Sequence, residues 1–195
     1  NNRDYRLFIA CEDKQVYAYT KEGTLVSGWS FPGTESEVLQ PVNHFRVGNK
    51  DFLVLGDRFR TYILDRKGNT RISADTYFPR SVRNNYSLQL PGSRSSGTGV
   101  VTTDTSGTVH FIYFNGETQT VDLGRFTGDH FFDYRDVDGD GTMEFIFLDR
   151  DKLGPGETAL CEVRLDEPLV GVFGDHCVVR AFSPLRTVAG GVVLD

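Results

Sequence analysis

The 195-residue chain is poor in the residues that most catalytic classes require. It holds one Trp, one Met, three Cys and four His. His44, His110, His130 and His176 show no HExxH or paired metal spacing, and neither a Gly-x-Ser-x-Gly elbow nor a P-loop is present. Ser95-Ser96 and Thr102-Thr103 have no partner base in the sequence. No apolar run approaches the ~18 residues of a membrane-spanning helix. Lys and Arg number 21 against 27 Asp and Glu, a net charge of -6, which argues against a nucleic-acid partner. Arg80, Arg83 and Arg94 share one polar stretch and are expected in a solvated loop. Three cysteines leave two readings open, a Cys161–Cys177 bridge with Cys11 over, or three free thiols. The chain opens at Asn1 with neither an initiator Met nor a signal segment, so a fragment or processed product is expected.

What is present is a repeat. Leu7-Phe8-Ile9 leads to Gly23, Phe52-Leu53-Val54 to Gly68, and Val100-Val101 to Gly116, each glycine 16 residues beyond the strand start. The starts Leu7, Phe52, Val100 and Phe145 recur at intervals of 45, 48 and 45. A period near 45 in aromatic and β-branched strands matches a four-stranded propeller blade and no helical repeat. The predicted strands are 42–47, 51–56, 60–65 and 70–73 in the second unit. The third has 86–90, 99–103, 109–114 and 119–123, with Asn115-Gly116 as a hairpin turn. The first unit offers 7–11, 16–20 and 24–29. The fourth opens with 130–137 and 143–149, then loses the turn chemistry after Leu153, although 174–182 and 187–194 still read as strands. Divergence of the last unit and a shifted reading frame beyond about Leu153 both fit that loss.

One stretch carries chemistry. Asp136-Val137-Asp138-Gly139-Asp140-Gly141-Thr142-Met143-Glu144 sets carboxylates at positions 1, 3, 5 and 9 of a tight loop, with glycines at 4 and 6 and the Thr142 carbonyl at 7. Hard oxygen donors in this number suit Ca²⁺ rather than Zn²⁺. Phe147 stands where an EF-hand has its bidentate Glu, and strands flank the loop instead of helices.

The phrase from Phe132 to Gly141, followed by Glu144-Phe145-Ile146-Phe147, resembles the FG-GAP/VCBS propeller repeat. That repeat carries a calcium loop between the first and second strands of a blade. Tyr62-Ile63-Leu64-Asp65-Arg66-Lys67-Gly68-Asn69 and Val16-Tyr17-Ala18-Tyr19 resemble the outer strands of PQQ-like and WD-type propellers, and residues 38–152 resemble the propeller region of a family of large Bacteroidetes envelope proteins. A quinoprotein would need repeated Trp docking motifs, and Trp29 stands alone. The resemblance implies an extracytoplasmic setting in the periplasm, on the outer-membrane surface or outside the cell.

The expected fold is therefore all-β, a partial propeller of about four antiparallel blade-like sheets in one domain, with units near 1–30, 38–75, 84–124 and 128–195. Phe8, Val54, Ile63, Val101, Ile112 and Phe147 are expected between sheets. The expected function is a non-enzymatic binding or scaffold module for a protein or glycan. One structural calcium would be held by Asp136, Asp138, Asp140, Thr142 and Glu144. The rival is a propeller hydrolase or oxidoreductase domain whose active site lies in further blades. Exposed edge strands are expected to pair between copies.

Overall fold

A computed structural model describes residues 5–91, 97–128, 130–135, 143–148, 154–156, 171–181 and 184–193. Among them are five antiparallel sheets and no helix. Sheet I pairs β1 (Arg6–Ala10) with β2 (Val16–Thr20). Sheet II is a meander of β3 (Asn43–Val47), β4 (Lys50–Gly56), β5 (Thr61–Leu64) and β6 (Thr70–Ile72). Sheet III repeats it with β7 (Ser87–Gln89), β8 (Gly99–Thr103), β9 (Val109–Tyr113) and β10 (Thr118–Val121). Sheet IV pairs β11 (Phe131–Arg135) with β12 (Glu144–Leu148), and sheet V pairs β13 (His176–Ala181) with β14 (Arg186–Val192).

The repeated glycines close the hairpins as their spacing requires. Gly23, Gly68 and Gly116 take φ of +80°, +86° and +93°, the left-handed region that a Cβ disfavours. A polar side chain caps each turn. Asp65 accepts from the Lys67 and Asn69 amides at 2.7 and 3.0 Å, Asn115 from Glu117 at 3.0 Å, and Thr20 from Glu22 at 3.3 Å. The expected strand 24–29 is not formed; only Leu25 bridges to Tyr19. Gly28 at φ +80° bends the chain away, and the Trp29 indole folds back to donate to the Val16 carbonyl at 2.6 Å, its ring 5.2 Å from Phe8. Packing the large ring into the cluster shared by sheets I and II outcompetes one more ladder strand.

The core follows from strand alternation. Successive side chains of a strand point to opposite faces, so a strand apolar at every position serves two interfaces. In β4, Leu53 and Leu55 join Val16, Phe31 and Leu64 on the side of sheet I. Phe52 and Val54 join Ile63, Tyr86, Val100 and Ile112 on the side of sheet III. In sheet III, Val101, Val109 and Phe111 turn the other way, onto Phe132 and Tyr134 of sheet IV. Sheets I to IV thus stack face on face in chain order, and each fully buried Val, Leu or Ile contributes about 1.5–3 kcal/mol. Val54, Ile63, Val101 and Ile112 are buried where the sequence predicted them, and Phe8 is partly buried against sheet II. The Phe147 side chain lies outside the described residues.

Sheet V stands apart from this pattern. β13 and β14 are exposed along nearly their whole length, and none of their residues enters the buried clusters. Cys177 of β13 is an exposed free thiol and Cys11 a half-buried one; Cys161 lies outside the described residues.

Candidate functional site

The β11–β12 hairpin bears the acidic loop. Phe131 pairs with Leu148 and Arg135 with Glu144, so residues 136–143 connect two adjacent antiparallel strands. Both ends are anchored: Phe132 and Tyr134 are buried, Met143 and Phe145 pack on them, and the Tyr134 hydroxyl donates to Gln89 of β7. Arg135 pairs with Asp133 at 3.3 Å beside the loop's first residue. Asp136, Asp138, Asp140 and Thr142 lie outside the described residues, as does the Glu144 side chain. Among the described residues no cluster of three His, Cys, Asp or Glu could hold a metal ion. The donor set of the loop is all oxygen and suits a hard cation.

The opposite end of the stack is a second polar region, which the sequence reading missed. Asp57, directly after β4, is fully buried. Its Oδ1 accepts from the Phe59 and Arg60 amides at 2.9 and 2.7 Å, its Oδ2 from the Glu35 and Ser36 amides at 3.1 and 2.9 Å and from the Tyr62 hydroxyl at 2.9 Å. Burial alone would raise the Asp57 pKa; the converging N–H groups outweigh it and lower the value. Burial and the neighbouring carboxylate push the Tyr62 phenol up to about 12. Asp104 holds the equivalent place after β8, accepting from Ser106 and Thr108 amides at 2.8 and 3.0 Å and contacting His110 at 3.2 Å, and its pKa is also lowered against the pull of burial. Burial lowers the pKa of His110, whose ring stacks on Phe78 at 3.7 Å.

Arg80 corrects an expectation. It is 2% exposed rather than solvated. Its guanidinium lies 4.1 Å from the centre of the Tyr86 ring, donates to the Tyr86 hydroxyl and to the Asn84 carbonyl, and reaches Thr102 at 3.4 Å. Gly56 makes room for it, since a Cβ there would fall on the guanidinium. Arg83 is exposed, as expected, and Arg94 lies outside the described residues. Asn84 then ties sheet III to sheet IV. Its Nδ2 donates to Thr103 Oγ1 at 2.8 Å and to the His130 carbonyl at 3.1 Å, and its Oδ1 accepts from the Phe132 amide at 3.0 Å. His130 is fully buried and contacts Thr103 Oγ1 at 2.9 Å. The whole cluster of Arg80, Asn84, Thr102, Thr103 and His130 is closed to solvent, so its chemistry is cohesive: it joins neighbouring sheets. For the Asp57 and Asp104 sites a signal was available, because Asp57, Asp104 and Asp149 recur directly after the second strand of their units; Asp149 itself lies outside the described residues. His44 pairs at 2.8 Å with Asp51, whose carboxyl it holds below the usual range, and His176 is exposed on β13.

No family model and no solved structure matches the chain. A stretch of 52 residues, 27% of the chain, is 64% identical to a selenocysteine-specific elongation factor of Desulfomicrobium baculatum. The chain spans 8% of that protein's length.

Proposed function

We propose that sheets I to IV are successive blades of a β-propeller and that the chain is a non-enzymatic, extracytoplasmic binding or scaffold module with one structural calcium. The observation that supports the blade reading is the alternation of faces: the second strand of each four-stranded sheet packs one set of side chains on the preceding sheet and the other on the following one. Asp136, Asp138, Asp140 and Glu144 would hold the ion, with the Thr142 carbonyl as a further oxygen. Bound Ca²⁺ supplies the positive charge that offsets four carboxylates in one hairpin; it is a fastening, not a reaction centre. The ligand, a protein or a glycan, is bound on loops at the ends of the stack, where such scaffolds carry their variable residues. The likeness to the elongation factor covers too small a part of that protein to bring a translation role with it.

The test is thermal melting in millimolar Ca²⁺ against EGTA, with Asp138→Ala as control. Binding to the folded form alone adds RT ln(1 + [Ca²⁺]/Kd), about 2.7 kcal/mol at a hundredfold excess over Kd. A wild type that melts identically in both buffers, with no ion detected by calorimetry, reduces the loop to an acidic turn.

A further inference from the structure

The loops at the Asp57 end of sheet II carry an aromatic group that the corresponding loops of sheet III lack. Tyr77 is 65% exposed, yet its ring is held in place. It lies nearly parallel to Phe59, with centroids 5.3 Å apart and 13° between the planes, and its backbone bridges to Arg60. The Arg60 guanidinium stands 5.7 Å from the centre of the Tyr77 ring and pairs with Glu35 at 2.9 Å. The buried Asp57 fixes the backbone of this group, since the amides it binds are those of Glu35, Ser36, Phe59 and Arg60. In sheet III the equivalent loops meet in the same way: the Phe126 amide donates to the Ser106 carbonyl as the Phe78 amide does to Phe59. Ser106 and Arg125 therefore stand where sheet II has Phe59 and Tyr77. The aspartate clamp is common to both sheets, and the exposed stacked rings belong to one.

Holding an exposed ring in one place adds little to stability and much to recognition, because a rigid aromatic face needs no ordering when a ligand arrives. We infer that Tyr77, Arg60 and Glu35 form a binding site for a neutral pyranose glycan; this rests on the reading of the chain as a binding module and narrows the ligand to a glycan. The chemistry of the group selects that ligand. A pyranose ring has an apolar face of C–H bonds, which packs on an aromatic face, and a rim of hydroxyls that both donate and accept. The Tyr77 ring supplies the first surface. The Arg60 fork donates to hydroxyl oxygens, and the Glu35 carboxylate accepts from hydroxyl hydrogens. Their charges offset each other at 2.9 Å, so the pair offers hydrogen bonds without the net charge that favours an anion. Both faces of sheet II are already packed, by sheets I and III, so a further sheet at either end of the row would leave these loops uncovered.

Affinity electrophoresis of the 195-residue chain tests this, in native gels holding mixed-linkage β-glucan, galactomannan or arabinoxylan, with polygalacturonate as an anionic comparison. The expected result is retardation in at least one of the three neutral gels. Tyr77→Ala is expected to lower the affinity there about tenfold or more, and Tyr77→Phe to keep it within about threefold, because the ring makes the stack. Arg60→Met, which leaves the ring in place, is expected to weaken binding as well. Tyr5→Ala removes another exposed ring, 59% exposed, and is expected to change nothing. Circular dichroism of Tyr77→Ala should match wild type, which separates lost binding from lost fold. Retardation in none of the neutral gels overturns the inference, and so does a shift confined to polygalacturonate and abolished by high salt. Retardation that Tyr77→Ala and Arg60→Met both leave intact overturns the site while upholding the wider reading of a binding module; the calcium melts test that reading independently.

Discussion

Replacing Asn84 by Ala probes the joint between sheets III and IV more sharply than any apolar truncation. Asn84 is 1% exposed, and its amide serves three partners that belong to different segments: Thr103 of β8, His130 before β11, and Phe132 within β11. Alanine withdraws all three bonds at once and offers nothing in return. Each buried group that loses its partner costs about 1–3 kcal/mol. Thr103 and His130 keep their contact with each other at 2.9 Å, so the lower end of that range applies to Thr103. The Phe132 amide and the His130 carbonyl bear most of the loss, and the sum is about 3 kcal/mol. For a chain of this length that lowers Tm by roughly 6–12 °C. Urea denaturation followed by circular dichroism, with Gln119→Ala as an exposed control, gives the comparison. The control accepts only a 3.1 Å bond from Tyr113 on the surface and should stay within about 0.5 kcal/mol of wild type. An Asn84→Ala loss below about 1 kcal/mol would show that water or a local shift replaces the amide, and the joint would then rest on Phe132 and Tyr134 packing with the Tyr134–Gln89 and Thr103–His130 contacts.

Calcium should raise the melting temperature of wild type and leave that of Asp138→Ala unmoved, as set out above. Gly23 and Gly68 share a positive φ but not a neighbourhood: a Cβ at Gly23 meets open space, whereas at Gly68 it lies 2.7 Å from the Phe31 amide. Gly23→Ala is expected to cost about 1 kcal/mol and Gly68→Ala clearly more, and equal losses in chemical denaturation would remove the packing argument. Asp57 and Asp104 have lowered pKa values in the folded state, so their stabilisation is present above the unfolded value near 3.8 and is lost as pH falls through the folded values. The lowered His110 works in the same direction from its ordinary 6.5 downward, since the folded state favours the neutral ring. Asp57→Asn should therefore be less stable than wild type by about 3 kcal/mol at neutral pH, with the gap closing in acid; a gap independent of pH would mean that the carboxylate's charge is not what the amides recognise.

The strands of sheets II and III were legible because their chemistry is local. A doubly buried strand reads as an unbroken apolar run, as in Phe52-Leu53-Val54-Leu55, and a left-handed turn asks for glycine at a fixed distance. Predicted and observed bounds in these sheets differ by two residues at most. What the sequence hid was the set of contacts made between units. Arg80 reads as a surface cation because nothing nearby in the chain announces Gly56 and Tyr86 as its cradle and its ring. Asn84 lies 48 residues from Phe132 and looks like an ordinary turn residue. The missing strand after Thr24 has the same origin, since Trp29 is drawn into a cluster that sheets I and II build together. The acidic loop was conspicuous for the opposite reason: its donors lie within nine consecutive residues and need no fold to bring them near.

The stacking order gives the molecule nearest-neighbour energetics. Each sheet is coupled to the one before and the one after, so a change in sheet I should reach sheet IV only through two intervening layers, and their effects on stability should add. The middle layers are held from both sides and the outer ones from one. Opening should therefore begin at the ends of the row and work inward, with the amides of β4 and β8 the last to exchange with solvent. In such an arrangement the length of the row, rather than any single contact, sets how firmly its centre is held.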